Sequence, residues 1–203
     1  MRVTDKDISF MKRALSLAAK ARGMTSPNPM VGALVVKNGK IISEDYHKKA
    51  GEPHAEALAI LSAGDKAKGA ILYVTLEPCC HHGRTPPCSE ALIAAGVRRV
   101  VTALTDPDPR VSGQGHAALR AAGIGVTEGV LSAEAARLNA GFLKRVTQGL
   151  PLVTLKLATT LDGRIATATG DVFAGLWYPV VFGIIGIVTC LFLFPETKGR
   201  PLN

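Results

Sequence analysis

Three side chains able to bind a soft divalent metal lie in one turn-rich stretch, and any fold must bring them together. They are His54, Cys79 and Cys88. A histidine and two thiolates supply the three protein ligands of an open zinc site and leave the fourth position for water. Glu56 stands two residues beyond the histidine, where it can reach such a water without being a ligand. Taken singly, a histidine on an apolar face or a lone cysteine reads as a core residue. The set, with Pro78 directly ahead of Cys79, reads as metal chemistry, and Zn2+ is the expected cofactor.

Local pattern places each ligand at the end of an element. Thr4 and Asp7 make a capping-box-like start, and Ile8, Met11, Leu15 and Ala18 recur at helical spacing, so residues 5–21 read as an amphipathic helix. Ser26-Pro27-Asn28-Pro29 is loop, because each proline lacks an N–H and restricts the residue before it. Residues 30–36 read as a strand, Asn38-Gly39 as a type I′ turn and Ile41-Ile42 as the returning strand. His54, Ala57, Leu58 and Leu61 define the expected inner face of a second helix that stops at Gly64. The apolar run 71–76 reads as a buried central strand, so Cys79 falls just past a strand end. Cys88 follows two prolines and opens the pattern Ala91, Leu92, Ala95, in a helix's first turn, where the dipole favours thiolate.

Further on, residues 97–104 and 124–127 read as strands, 114–122 and 132–146 as helices, and 152–158 as one more strand. Strands alternating with helices predict an α/β domain with helices on both faces of a mixed sheet. Ligand sites in such sheets lie beyond strand C-terminal ends, where Cys79 and Asp106 fall.

A histidine, a glutamate two residues on, and a distant Pro-Cys with a second cysteine follow the logic of zinc deaminases. In that signature two residues separate the cysteines; here eight do, forming a polar, turn-rich insert that contains Arg84. The string Thr75-Leu76-Glu77-Pro78-Cys79, with His81 and Gly83 to Cys88, resembles the deaminase half of the bifunctional riboflavin-biosynthesis deaminase/reductase family. The resemblance takes in Ser26 to Ala33, His47 to Glu56 and Asp106-Pro107, and covers roughly residues 5–170.

That resemblance implies a cytidine-deaminase-like three-layer domain over residues 1–148. It implies His54, Cys79 and Cys88 as zinc ligands and Glu56 as the group that takes a proton from water and passes it to the ring nitrogen and departing amine. Asn28 would bind the substrate's ribose or base, His47 its phosphate, and His81, Arg84 and Asp106 would be further substrate contacts. The implied substrate is a small pyrimidine ribose phosphate, 2,5-diamino-6-ribosylamino-4(3H)-pyrimidinone 5′-phosphate. Cys80 stands where the family commonly has serine, and Asp108 where it has asparagine, exchanging an amide for an anion. Lys156 and Asp162 match the opening motif of the family's reductase half, so residues 149–171 read as a truncated reductase start. With about 30 residues left after that, no dinucleotide site can be built and reductase activity is not expected.

The net charge of +8 is spread along the chain and suits phosphorylated small molecules, RNA or plain solubility. The eight-residue cysteine spacing argues against nucleic-acid-directed deaminases such as those acting on tRNA adenosine. An inactive zinc-binding remnant is the other reading. Four cysteines without an apolar leader in MRVTDKDISF predict metal chemistry in a reducing, cytoplasmic compartment. Residues 172–194 carry no charge and are long enough to span a bilayer if helical. With Pro195 to Arg200 they resemble the last helix and tail of a sugar-porter-type transporter, so residues 172–203 read as an apolar, membrane-compatible appendage. Homo-oligomer formation is left open.

Overall fold

The first helix begins as its cap dictates. Thr4 accepts from the backbone N–H of Asp7 while the Asp7 carboxylate accepts from the N–H of Thr4, a closed capping box, worth about 1 kcal/mol. The structure, a computed structural model, describes residues 3–81, 87–109 and 111–155. The chain divides into units of residues 1–152 and 153–203, and every element below belongs to the first. In order these are α1 (Asp5–Ala19), β1 (Gly32–Lys37), β2 (Lys40–Tyr46), α2 (Ala55–Ala63), β3 (Ile71–Val74), α3 (Cys88–Ala94), β4 (Arg99–Thr102), α4 (Gln114–Ala121), β5 (Gly125–Thr127), α5 (Ser132–Leu138) and α6 (Ala140–Gln148).

The strands form one mixed sheet in the order β2-β1-β3-β4-β5. β1 runs antiparallel to both β2 and β3, joined to β2 through Asn38 and Gly39, both with positive φ as a type I′ turn requires. β3, β4 and β5 are parallel, as their intervening helices demand. Alternation splits the core into two layers. Val35, Leu72, Val74 and Val100 face α2, α3 and α4, while Leu34, Tyr73 and Val101 face α1 and α5. Close approach explains the start of β1: a methyl group added at Gly32 would lie 2.2 Å from the carbonyl oxygen of Ala14 in α1.

The expected α/β sandwich is therefore present, with four local corrections. The inner face of α2 is made by Ala55, Glu56, Ala59 and Ala63, not by Ala57, Leu58 and Leu61, and Leu61 is 79% exposed. Alanines let α2 sit close on the sheet, while Leu61 turns outward and Leu58 and Ile60 are only half-buried. The single helix expected over 132–146 is two, broken at Asn139 (φ −102°, ψ 22°). The Asn139 side chain is used elsewhere: its oxygen accepts from the N–H of Met30 at 2.8 Å and its amide donates to the Met30 carbonyl at 2.9 Å. Residues 151–155 do not form the strand expected at 152–158; the rest of that segment lies outside the described residues. The first helix stops at Ala19, two residues short of the expected end.

No helix among the described residues is long and apolar enough to cross a membrane. The apolar segment 172–194, the reductase-like positions Lys156 and Asp162, and the insert residues His82 and Arg84 all lie outside the described residues.

Candidate metal centre

β3 is flanked by antiparallel β1 on one side and parallel β4 on the other, so the segments leaving its end meet those returning to it. Three elements deliver the donor atoms there. His54 is the N-cap residue of α2, Cys79 follows β3, and Cys88 is the first residue of α3. His54 Nδ1 lies 3.2 Å from Cys88 Sγ and 3.6 Å from Cys79 Sγ, and all three donor atoms lie within 4.8 Å of one another. The Cys88 N–H donates to Cys79 Sγ at 3.3 Å, and the Ser89 N–H to the Cys79 carbonyl at 3.1 Å. Donors at the start of α3 thus face the thiol that follows β3.

The protonation pattern suits a cation. The hydrogen bond with Cys88 holds the Cys79 thiol well below its ordinary range, with His54 acting in the same direction and burial opposing. Cys88 is pushed up by that same hydrogen bond and by burial. His54 is raised to about 9, chiefly by its hydrogen bond to Cys79. A thiolate, a thiol and an imidazolium clustered at one point can exchange their protons for a divalent ion, since thiolates and neutral imidazole are the ligand forms. An imidazole with two sulfurs fits zinc's tetrahedral preference and leaves one position open.

Glu56 completes the cluster. It is 4% exposed, on the first turn of α2, and burial raises it to about 7, with His54 opposing. It hydrogen-bonds Cys88.

The structure also brings Asn28 and His47 together beside this centre. His47 is 3% exposed, its Nε2 is 3.3 Å from Asn28 Nδ2, and its ring meets that of His54 edge-on. Burial lowers its pKa, so the ring is neutral at pH 7. Asn28 additionally faces a cavity of about 320 Å3 bounded by Pro27, Met30, Phe142, Arg145 and Leu152. Asp106 follows β4, its Oδ1 accepting from the Asp108 N–H at 2.9 Å, and burial raises it to about 6 with that hydrogen bond opposing. His81 is half-buried, with Nδ1 enclosed.

Residues 4–104 match the family model described as the cytidine and deoxycytidylate deaminase zinc-binding region. That match spans 101 of the chain's 203 residues. Longer relatives match more of the chain. The riboflavin biosynthesis protein RibD of Escherichia coli K12 is 57% identical over 166 residues, 82% of this chain and 45% of that protein. Acinetobacter baumannii RibD superposes with a TM-score of 0.77 at 51% identity, over 82% of this chain and 47% of the other. A Thermotoga maritima diaminohydroxyphosphoribosylaminopyrimidine deaminase/5-amino-6-(5-phosphoribosylamino)uracil reductase gives 0.77 at 50%, over 82% and 48%. The chain spans about half the length of the curated relatives it matches. Residues 4–104 therefore have a cytidine-deaminase-like fold, and among the described residues His54, Cys79 and Cys88 form a group able to hold a metal ion.

One residue beside the centre escaped the sequence reading. Glu77, 3% exposed and two residues ahead of Cys79, accepts three backbone hydrogen bonds: Asp106 N–H at 3.1 Å, Gly113 N–H at 2.9 Å and His116 N–H at 3.2 Å. The available signal was an acidic residue closing an apolar strand run immediately before proline.

Proposed function

We propose that the chain catalyses hydrolytic deamination of 2,5-diamino-6-ribosylamino-4(3H)-pyrimidinone 5′-phosphate, the deaminase reaction of riboflavin biosynthesis. The observation that carries this reading is the convergence of His54, Cys79 and Cys88 beside the buried Glu56. The half-length match to relatives that join a deaminase to a reductase supports the substrate.

His54, Cys79 and Cys88 would hold Zn2+, which lowers the pKa of water from about 15.7 to about 7 and so supplies a nucleophile at neutral pH. Glu56 holds and moves the protons. A carboxyl that titrates near 7 accepts a proton at the operating pH and returns it to the ring nitrogen and the leaving amine. Its burial keeps competing bulk water away from the transfer. Asn28, held by His47, hydrogen-bonds the ribose or base. His81, Arg84 and Asp106 would be further substrate contacts. The Nδ1–H of His47 is taken by the Pro53 carbonyl, so a phosphate held there would be met by Nε2, whose protonation the phosphate's negative charge favours.

In this reading residues 1–148 are the working deaminase domain, 149–171 the start of a reductase domain, and 172–203 an apolar appendage. Reductase activity is not part of the proposal. A cytoplasmic location and a small-molecule substrate go with it.

The test is ammonia release from the diaminopyrimidine phosphate by the full chain, with and without a zinc chelator. Release that the chelator abolishes and added zinc restores is the expected result. No release from folded protein carrying one zinc per chain would overturn the substrate assignment, and cytidine and tRNA would then be tried.

A further inference from the structure

The Thr105 to Gly113 segment has little regular structure, yet it carries Asp106 to the rim of the proposed site. Its described anchors converge on one carboxylate. Glu77 Oε2 receives both the Asp106 and the Gly113 N–H, at the two ends of the loop, and Oε1 receives the His116 N–H from the first turn of α4. The acceptor is itself fixed, because the Glu77 N–H donates to the Leu104 carbonyl at 2.8 Å. From Glu77 only Pro78 intervenes before Cys79. Pro78 in turn is held from behind: a methyl group added at Gly115 would lie 2.1 Å from its carbonyl oxygen, so α4 approaches that peptide as closely as a glycine permits. The far side of Cys79 is held by the start of α3, through the N–H groups of Cys88 and Ser89.

A buried carboxylate that accepts three main-chain N–H groups has no other partner to offer them if it moves, and each donor would then be left unsatisfied. Displacement of the Glu77–Cys79 segment therefore releases the loop, and capture of Cys79 at the metal centre fixes the segment. We propose that Glu77 is the positioning residue that couples metal capture at Cys79 to the order of the Asp106–Gly113 loop, so that loading the centre also assembles the rim. This inference rests on the reading of His54, Cys79 and Cys88 as metal ligands, but not on the identity of the substrate.

Backbone hydrogen exchange of the full-length chain, stripped of metal and then loaded with zinc, tests it. Zinc should slow exchange at the Asp106, Gly113 and His116 amides about tenfold or more, while Val126 in β5 changes little. In Glu77→Gln, where an amide nitrogen replaces one acceptor, zinc should still bind but the slowing at these three positions should be lost. In steady-state assays of that variant KM should rise more than kcat falls. Zinc binding at one per chain without any slowing at the three amides in the native protein would overturn the inference, whatever the variant does. Absence of stoichiometric zinc binding would instead overturn the ligand assignment on which it rests.

Discussion

The imidazole of His47 stands edge-on to that of His54, with ring centroids 5.6 Å apart and planes at 82°. On its far side, His47 Nδ1 lies 3.1 Å from the carbonyl oxygen of Pro53. A carbonyl only accepts, so Nδ1 carries the hydrogen and Nε2 is left to accept from the Asn28 amide. The tautomer of one histidine thereby sets which way Asn28 points: nitrogen inward to His47, oxygen free for a ligand. Replacing that donor by an acceptor, Asn28→Asp, should favour the imidazolium and raise the His47 pKa by about one unit or more. An NMR titration of zinc-loaded protein reads this directly, and an unchanged His47 titration would remove the proposed pairing.

Glu56→Gln keeps the size and burial of the side chain but cannot carry the proton. Turnover should fall about 10²- to 10⁴-fold, the usual contribution of a positioned acid–base group. Zinc content, measured by metal analysis, should stay at the wild-type level, since Glu56 is not among the three proposed ligands. Unchanged turnover would rule out Glu56 as the proton carrier.

Gly115→Ala sets two effects against each other. In an open helix position alanine gains about 1 kcal/mol over glycine. Here the new methyl would meet the Pro78 carbonyl at 2.1 Å, and overpacking against backbone costs about 1–3 kcal/mol. The variant should therefore melt lower than wild type. It should also bind zinc more weakly in chelator competition, because the displaced peptide is the one preceding Cys79. A stabilised variant with unchanged affinity would mean that the segment yields without cost.

Asn139→Ala removes both hydrogen bonds to the Met30 backbone, 109 residues away in sequence. Two main-chain groups lose their partner, at a cost of about 2 kcal/mol. Because Met30 ends the loop that presents Asn28, KM should rise with little change in zinc affinity. Denaturant unfolding and steady-state kinetics separate the two effects.

Acid stability should depend on a group far from the centre. Burial acts to raise the Asp7 carboxyl, but hydrogen bonds from Thr4, Arg99 and Tyr73 outweigh it and hold its pKa below the ordinary 3.8. A depressed folded-state pKa stabilises fully above the unfolded value, and that stabilisation is lost as pH falls from there through the folded value. Asp7→Asn, which takes the anionic partner from Arg99 and leaves it only its hydrogen bonds to Thr127, should cost about 3 kcal/mol at pH 7. The deficit should shrink below about pH 4 as the wild-type carboxyl protonates. Chemical denaturation across pH 2.5–7 would show it, and a deficit independent of pH would assign the effect to packing.

The sheet, the first helix and the clustering of His54, Cys79 and Cys88 were legible because each obeys a local rule. Thr4 and Asp7 cap, Asn38-Gly39 turns, and Cys88 opens the helix that its two prolines announce. The inner face of α2 was not legible, because hydrophobicity alone favoured Leu58 and Leu61. What decides that face is the close approach of helix and sheet, which Ala55, Ala59 and Ala63 permit and which no local hydrophobicity pattern reveals. The break at Asn139 was hidden for a related reason: its cause is a partner at Met30, and no local window contains both residues. Glu77 went unread because its three donors lie 29, 36 and 39 residues downstream. The metal set, by contrast, declared itself through residue chemistry before any distance was known.

The clasp between Asn139 and Met30 also has a temporal side. A growing chain leaves the ribosome N-terminus first. All three proposed ligands and Glu56 emerge by residue 88, and the sheet is complete once residue 127 has followed. The loop bearing Asn28 waits longer, because its fastener is made only when residue 139 is out. A growing chain thus completes the proposed metal donors before the Asn28 loop can be fastened, so in biosynthesis the proposed metal cage precedes the proposed recognition surface.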